Sequence, residues 1–240
     1  DFISFVKAQL DTSKIVFTCV GDLSMEQVVQ LAEKHLGHVP KTLSSRTRKK
    51  FSGYRPKEVL IQRDVKQARC AMGRAAYRLA DEKRSSFYML TSILGGAGMN
   101  SRLNLALREK HGFVYSIGSQ FIPFTDTGIF VTSFGTDPSQ LKRSVELVKA
   151  ELQRLCDERL GIKQLANAKE QLLGQIAMAE ESNISFMMMM ARNLLDLGRV
   201  ITFEEIQNRI SGTTAIKLQE LAQEMFDVDQ LSYFMMLPKK

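Results

Sequence analysis

Residues 94–119 read LGGAGMNSRLNLALREKHGFVYSIGS, and the fold is decided by how this stretch is parsed. Ahead of it, Phe87, Leu90, Ile93 and Leu94 recur at helical spacing, so a helix is expected over 81–94. Gly95-Gly96-Ala97-Gly98 stops it. A short helix over 102–110 follows, and Gly112 ends that one, because glycine takes a positive φ at little steric cost. Residues 113–119 then read as a strand. Arg108 falls in the last turn of the short helix and Tyr115 in the strand just beyond. A guanidinium and a phenol brought together beside a sheet edge are donors able to stabilise negative charge developing on a carbonyl oxygen. An arginine at a helix end and a tyrosine in a strand are equally ordinary structural residues, so both readings stand at this level.

Working outward, 58–63 and 68–76 read as strands, and so do 120–123 and 129–134, with Asp126-Thr127-Gly128 as the turn between the last two. Asp137 as cap and Pro138 at the first helical position open a long helix. Its stripe is Leu141, Val145, Val148, Leu152 and Leu155. Helices are expected over 162–181, through Met187–Met190 to a stop at Gly198, and over 203–210 and 214–225. A strand over 230–237 closes the chain. The four methionines in a row surround one helical turn, so they are read mainly as packing residues. At the other end, Phe2, Phe5, Val6 and Leu10 have helical spacing, and Ile15, Phe17 and Cys19 alternate as in a strand. Ser24 followed by Gln27 has the form of a capping box for a helix ended by Gly37. Residues 41–56 are polar and basic. One internal echo is visible: Leu10-Asp11 then Ile15, Phe17, Cys19 matches Phe226-Asp227 then Leu231, Tyr233, Met235 at a constant offset.

Composition removes several classes. Hydrophobic residues make up 44% of the 240 and charged residues 25%, values of a folded globular chain. No apolar run is long enough to span a membrane, and 1–14 lacks the form of a signal peptide. The net charge of +7 sits largely in Arg46, Arg48, Lys49 and Lys50, a solvated connecting run rather than a nucleic-acid surface. Cys19, Cys70 and Cys156 lie far apart among apolar neighbours, with no CxxC. Buried, reduced thiols of a cytoplasmic-type compartment are expected. Localisation is otherwise unspecified, since a leader upstream of Asp1 is not readable here. The only histidines are His35, His38 and His111. His35 and His38 straddle a helix end with no carboxylate spaced to join them, and neither HExxH nor HxxEH occurs. They read as surface residues, and His111 as a helix-end imidazole. Gly95, Gly96 and Gly98 fit neither GxGxxG nor a P-loop, which leaves a nucleotide-binding domain with little support.

The central stretch resembles the second-half signature of the insulinase/pitrilysin-like zinc peptidases, the inverzincins, a family that includes mitochondrial processing peptidase. The matching residues are the glycines 95, 96 and 98, then Ser101-Arg102-Leu103, then Leu107-Arg108-Glu109-Lys110, Gly112, and Tyr115-Ser116. Asp126, Gly128, Phe130, Gly135 and Thr136 continue the match, with a helix after Pro138. The opening FVKAQL and IVFTCVGDLSMEQVVQLAEKHLG is similar to the closing strand–helix unit of the family's first half.

This resemblance implies an α+β fold: a mixed, largely antiparallel sheet with helices packed on one face, built of two β/α repeats, its other face lining a substrate chamber. It implies that residues 1–45 close a preceding homologous half, 46–56 link, and 57–240 form the second-half domain. It further implies that Arg108 and Tyr115 hold the carbonyl oxygen of a peptide substrate, in a site whose zinc ligands lie outside this chain. Zinc then belongs to the complete enzyme and is not bound by this chain. The partner is a missing N-terminal half or a zinc-bearing homologous subunit, in a homo- or hetero-dimer. With HxxEH absent, the chain alone is expected to lack peptidase activity. Two expectations compete: a piece of a longer two-half metalloendopeptidase, or a non-catalytic partner subunit with a structural or assembly role. The opening at Asp1, inside an apparent repeat, favours the first.

Overall fold

The computed structural model describes residues 1–44 and 49–239. Its strands are β1 (Glu58–Arg63), β2 (Ala68–Ala76), β3 (Val114–Pro123), β4 (Gly128–Thr136) and β5 (Ser232–Pro238). Its helices are α1 (Phe2–Gln9), α2 (Met25–Leu36), α3 (Arg84–Gly95), α4 (Leu141–Asp157), α5 (Ile162–Glu180), α6 (Asn183–Leu197), α7 (Phe203–Ser211) and α8 (Ala215–Met225). A π-helical segment, Asn104–Glu109, precedes β3. The strands form one sheet in the order β1-β5-β2-β4-β3. β1 runs parallel to β5 and every other pair is antiparallel, so the sheet is mixed and largely antiparallel as expected. The chain divides into two compact units, Asp1–Lys50 with Gln175–Phe203, and Phe51–Gly174 with Glu204–Lys240. The boundary falls within α5. Arg46 and Arg48 of the basic run, and with them part of the expected linker 46–56, lie outside the described residues.

In the larger unit, alternation along each strand separates the two faces of the sheet. Phe130, Thr132 and Phe134 of β4 are buried, and Met72 and Cys70, the register partners of Thr132 and Phe134 on β2, are buried with them. This face carries the helices: α3 packs on β3, and α4 on β2, with α8 against both helices. Phe87 of α3 is fully buried at the centre. Its ring meets Tyr77, Phe121 and Phe130 edge-on at 5.2, 4.9 and 5.8 Å, and Phe226 at 6.1 Å. The α4 stripe behaves as its spacing requires, with Leu141, Val148, Leu152 and Leu155 buried. Asp137 caps the 3-10 turn that leads into it, accepting from Ser139 N–H at 2.8 Å. The opposite face of the sheet keeps large apolar residues in contact with solvent: Val59, Ile129 and Phe234 are all exposed.

The smaller unit contains α1, α2, α6 and the end of α5. The capping box of α2 forms as read, with Gln27 N–H donating to Ser24 Oγ at 3.3 Å and Ser24 N–H to Gln27 Oε1 at 2.9 Å. The expected strand over 15–19 does not form a ladder. A strand needs a neighbour to receive its N–H and C=O groups, and none of the described strands lies beside it. The phase is also inverted: Ile15, Phe17 and Cys19 are exposed, while Val16, Thr18 and Val20 are half-buried and Thr18 Oγ1 donates to Met187 O at 3.3 Å. Cys19 is therefore not the buried thiol expected, whereas Cys70 and Cys156 are.

The internal echo has a structural counterpart. Asp11 caps a 3-10 turn, Thr12–Lys14, directly after α1, and Asp227 caps another, Val228–Gln230, directly after α8. In each the carboxylate accepts a backbone N–H two residues on, at 3.2 Å from Ser13 and 3.0 Å from Asp229.

Candidate functional site

Arg108 and Tyr115 are joined by a short run of backbone with three irregularities. The first is the π-helical segment. Residues 102–110 were expected to form an ordinary short helix, yet Lys110 N–H reaches back five residues to Leu105 O at 3.0 Å. Single π turns are uncommon and recur at functional positions. Leu107 is buried on the inner side while Arg108 is turned outward, its side chain 41% exposed. Arg108 Nε lies 3.8 Å from Glu109 Oε1, a loose surface contact of little energetic weight.

The second irregularity is Gly112, with φ +62°. Its N–H donates to Arg108 O at 2.9 Å, and Phe113 N–H donates to Leu107 O at 3.0 Å. Together they satisfy carbonyls that the helix end leaves free. A side chain at 112 would be strained in this left-handed conformation.

The third is a β-bulge in β3. Val114 pairs with Thr136 and Ile117 with Phe134, so Tyr115 and Ser116 together oppose Gly135. Gly135 occupies the register position that faces away from the helices, since Thr136 and Phe134 on either side of it are buried among them. A bulge bends its strand and re-aims the side chain it carries. Tyr115 is accordingly 85% exposed although it sits within a strand. β3 is an edge strand, so this displayed phenol stands at the sheet margin. The expected separate strands over 113–119 and 120–123 are one strand with this bulge near its start.

Further along the same outer face lies an apolar cavity of about 470 Å³. Val59, Ala71, Ile129, Val131 and Phe234 line it, and Phe51 and Tyr54 rise beside it. Tyr54 is fixed there: its hydroxyl donates to Gly73 O at 3.1 Å and lies 2.7 Å from Ser232 Oγ. Phe51 N–H donates to Asp126 Oδ2 at 2.9 Å. Phe51 and Tyr54 were not expected in its lining, because they sit in the stretch read as a polar connection.

Among the described residues no three His, Cys, Asp or Glu side chains gather to hold a metal. His35 and His38 are exposed at the end of α2, and the His111 ring stacks on Phe113 at 5.0 Å. Gly95, read as part of the stop after a helix, is the last residue of α3 and is buried at its close approach to β3: a Cβ there would lie 2.7 Å from both N and Oγ of Ser119. No helix among the described residues is long and apolar enough to cross a membrane.

In the larger unit the sheet is covered by helices on one face and exposes apolar residues on the other. Residues 1–172 match the family described as the Peptidase M16 inactive domain, and the chain belongs to it. It corresponds to the C-terminal, inactive half of M16 zinc-protease-like proteins, the insulinase-like class that the sequence resembles. Among relatives, an uncharacterized zinc protease of Bacillus subtilis, YmxG, is 27% identical over 221 residues, covering 90% of this chain and 52% of that protein. Among solved structures, a peptidase M16 inactive domain from Pseudomonas fluorescens superposes with a TM-score of 0.80 at 20% identity, over 92% of this chain and 53% of that one. A chain of complex III2 from Candida albicans has the same fold, with a TM-score of 0.77 at 14% identity, over 91% of this chain and 53% of that one. The chain spans about half the length of the curated relatives it matches.

Proposed function

We propose that this chain is the substrate-binding half of a zinc-dependent metalloendopeptidase. In this reading a peptide lies along the outer face of the sheet. Arg108 and Tyr115 donate hydrogen bonds to the carbonyl oxygen of the scissile bond as it gains negative charge, and the apolar cavity receives side chains of the same peptide. The zinc ligands belong to a homologous half or subunit outside these residues. Residues 1–45 then close a preceding half and 46–56 connect it to the domain 57–240; the matching Asp-capped turns after α1 and α8 support that division. The observation that carries the proposal is the bulge that holds Tyr115 outward on an edge strand, one glycine-closed turn from an exposed Arg108.

The test is made in the enzyme reconstituted with its zinc-bearing half. Tyr115→Phe and Arg108→Ala should each lower kcat/KM by more than about tenfold, roughly 1.4 kcal/mol of transition-state stabilisation. Smaller losses for both remove the assigned roles. A second reading, a non-catalytic subunit of a larger assembly, draws support from the fold shared with a chain of complex III2. It requires wild-type behaviour from both variants and loss of assembly when the outer apolar face is made polar.

A further inference from the structure

On the helical side of the larger unit is a second cavity, of about 590 Å³, between the π-helical segment and the C-terminal part of α4. Its lining is polar and unbalanced. Arg102, Lys110, Arg154 and Arg159 contribute four cations, Glu151 and Glu158 two carboxylates, and His111 an imidazole. Glu151 is already engaged, since Arg154 Nη1 donates to its Oε1 at 2.8 Å. Arg159 Nε donates to Gln219 Oε1 at 2.9 Å, which fixes that guanidinium in place.

Arg102 is the exceptional member. Its Nη1 is buried, and no acceptor among the described residues receives its protons. A buried donor without an acceptor costs about 1–3 kcal/mol, more when charged. Burial pulls the guanidinium below its ordinary pKa, against the favourable charge of Glu151. The planar fork of an arginine matches the oxygens of a phosphate or sulfate, and a neighbouring lysine adds a point charge.

We propose that this cavity is a binding site for a small oxyanion of the phosphate class, with Arg102 as its anchor and Lys110 as the second cationic contact. Such a ligand lies against Arg102 in the cavity lining and offsets the excess positive charge there. It also ties the segment carrying Arg108 to α4, because both walls contribute to the cavity.

The site is tested by calorimetric titration of the 240-residue chain with inorganic phosphate and pyrophosphate, in chloride buffer at fixed ionic strength. Saturable binding is expected, weakened by about tenfold or more in Arg102→Gln and by about threefold in Lys110→Ala. Absence of saturable binding overturns the proposal. So does unchanged affinity in Arg102→Gln that retains the wild-type circular dichroism. Should Arg102→Gln fail to fold, Lys110→Ala decides, because Lys110 is exposed and its loss leaves the scaffold intact: unchanged affinity there refutes the site.

Discussion

Tyr115 stands across the β3–β4 ladder from Gly135, sharing that single partner with Ser116. The bulge frees the phenol from the sheet, so nothing in the scaffold depends on it. Tyr115→Phe and Tyr115→Ala should therefore change stability by less than about 0.5 kcal/mol, the ordinary range for exposed substitutions. Urea unfolding monitored by circular dichroism measures this. A large loss would mean that the tyrosine is structural, and activity losses in its variants would lose their mechanistic meaning.

Gly95 gives the opposite case. Its neighbours Ser119 N and Oγ leave no room for a methyl group, and one of them is backbone. Gly95→Ala should destabilise by about 1–3 kcal/mol through forced separation of α3 from β3. Adding Ser119→Ala should recover only part of the loss, since the amide nitrogen remains in the way. Full recovery in the double variant would show that the hydroxyl alone sets the spacing.

These two positions mark what the sequence discloses. Elements such as α4 and β4 were legible because burial enforces a stripe or an alternation, as Val148 and Leu152 or Phe130 and Phe134 illustrate. Arg108 and Tyr115 were legible only by family pattern. The π turn and the bulge that display them are one-residue departures from regular pairing, and composition carries no signal for either. Ile15, Phe17 and Cys19 misled because alternation shows only that a segment can be a strand. Whether it becomes one depends on a neighbour distant in sequence. The Arg102 cavity was invisible for the same reason: its walls come from segments about fifty residues apart.

Ser86 and Thr213 tie α3 to the turn after α7 through a buried hydroxyl pair at 2.9 Å. Thr213 Oγ1 donates onward to Arg209 O at 3.0 Å, so Ser86 is the donor to Thr213. Thr213→Val should cost about 1–3 kcal/mol, because it strands the Ser86 hydroxyl in the core. Ser86→Ala in that background should restore part of the stability, giving a coupling of about 0.5 kcal/mol or more in a double-mutant cycle of urea midpoints. Strict additivity would show that the pair carries no joint energy.

Thiol labelling reads the correction at Cys19 directly. Burial pushes Cys70 up to about 12 and Cys156 up to about 11, and both are shielded from reagent. Cys19 is exposed. At pH 8 a bulky aromatic disulfide should label Cys19 rapidly in the native chain, and Cys70 and Cys156 only on unfolding. Rapid native labelling at Cys70 would contradict the packing of β2 against α4.

The Lys83–Glu224 pair at 2.7 Å gives stability a defined pH window. Burial is the largest single influence on Glu224 and works to raise its pKa, but the hydrogen bond from Lys83, together with Tyr77 and Arg74, outweighs it and holds the carboxyl below its ordinary 4.5. A depressed acid contributes stability that is present above its unfolded pKa and lost as pH falls through the folded one. The same hydrogen bond raises Lys83 above its ordinary 10.5, so its contribution is present below that value and lost as pH rises through the folded one. The pair therefore acts between these limits. Both side chains are about half exposed, so its worth is under about 1 kcal/mol and falls in high salt. Glu224→Gln isolates the charge, because it leaves Lys83 over the Tyr77 ring at 5.5 Å. Its urea midpoint should fall below wild type at pH 7, and the two should converge near pH 3. A difference that persists at pH 3 would assign the effect to packing instead.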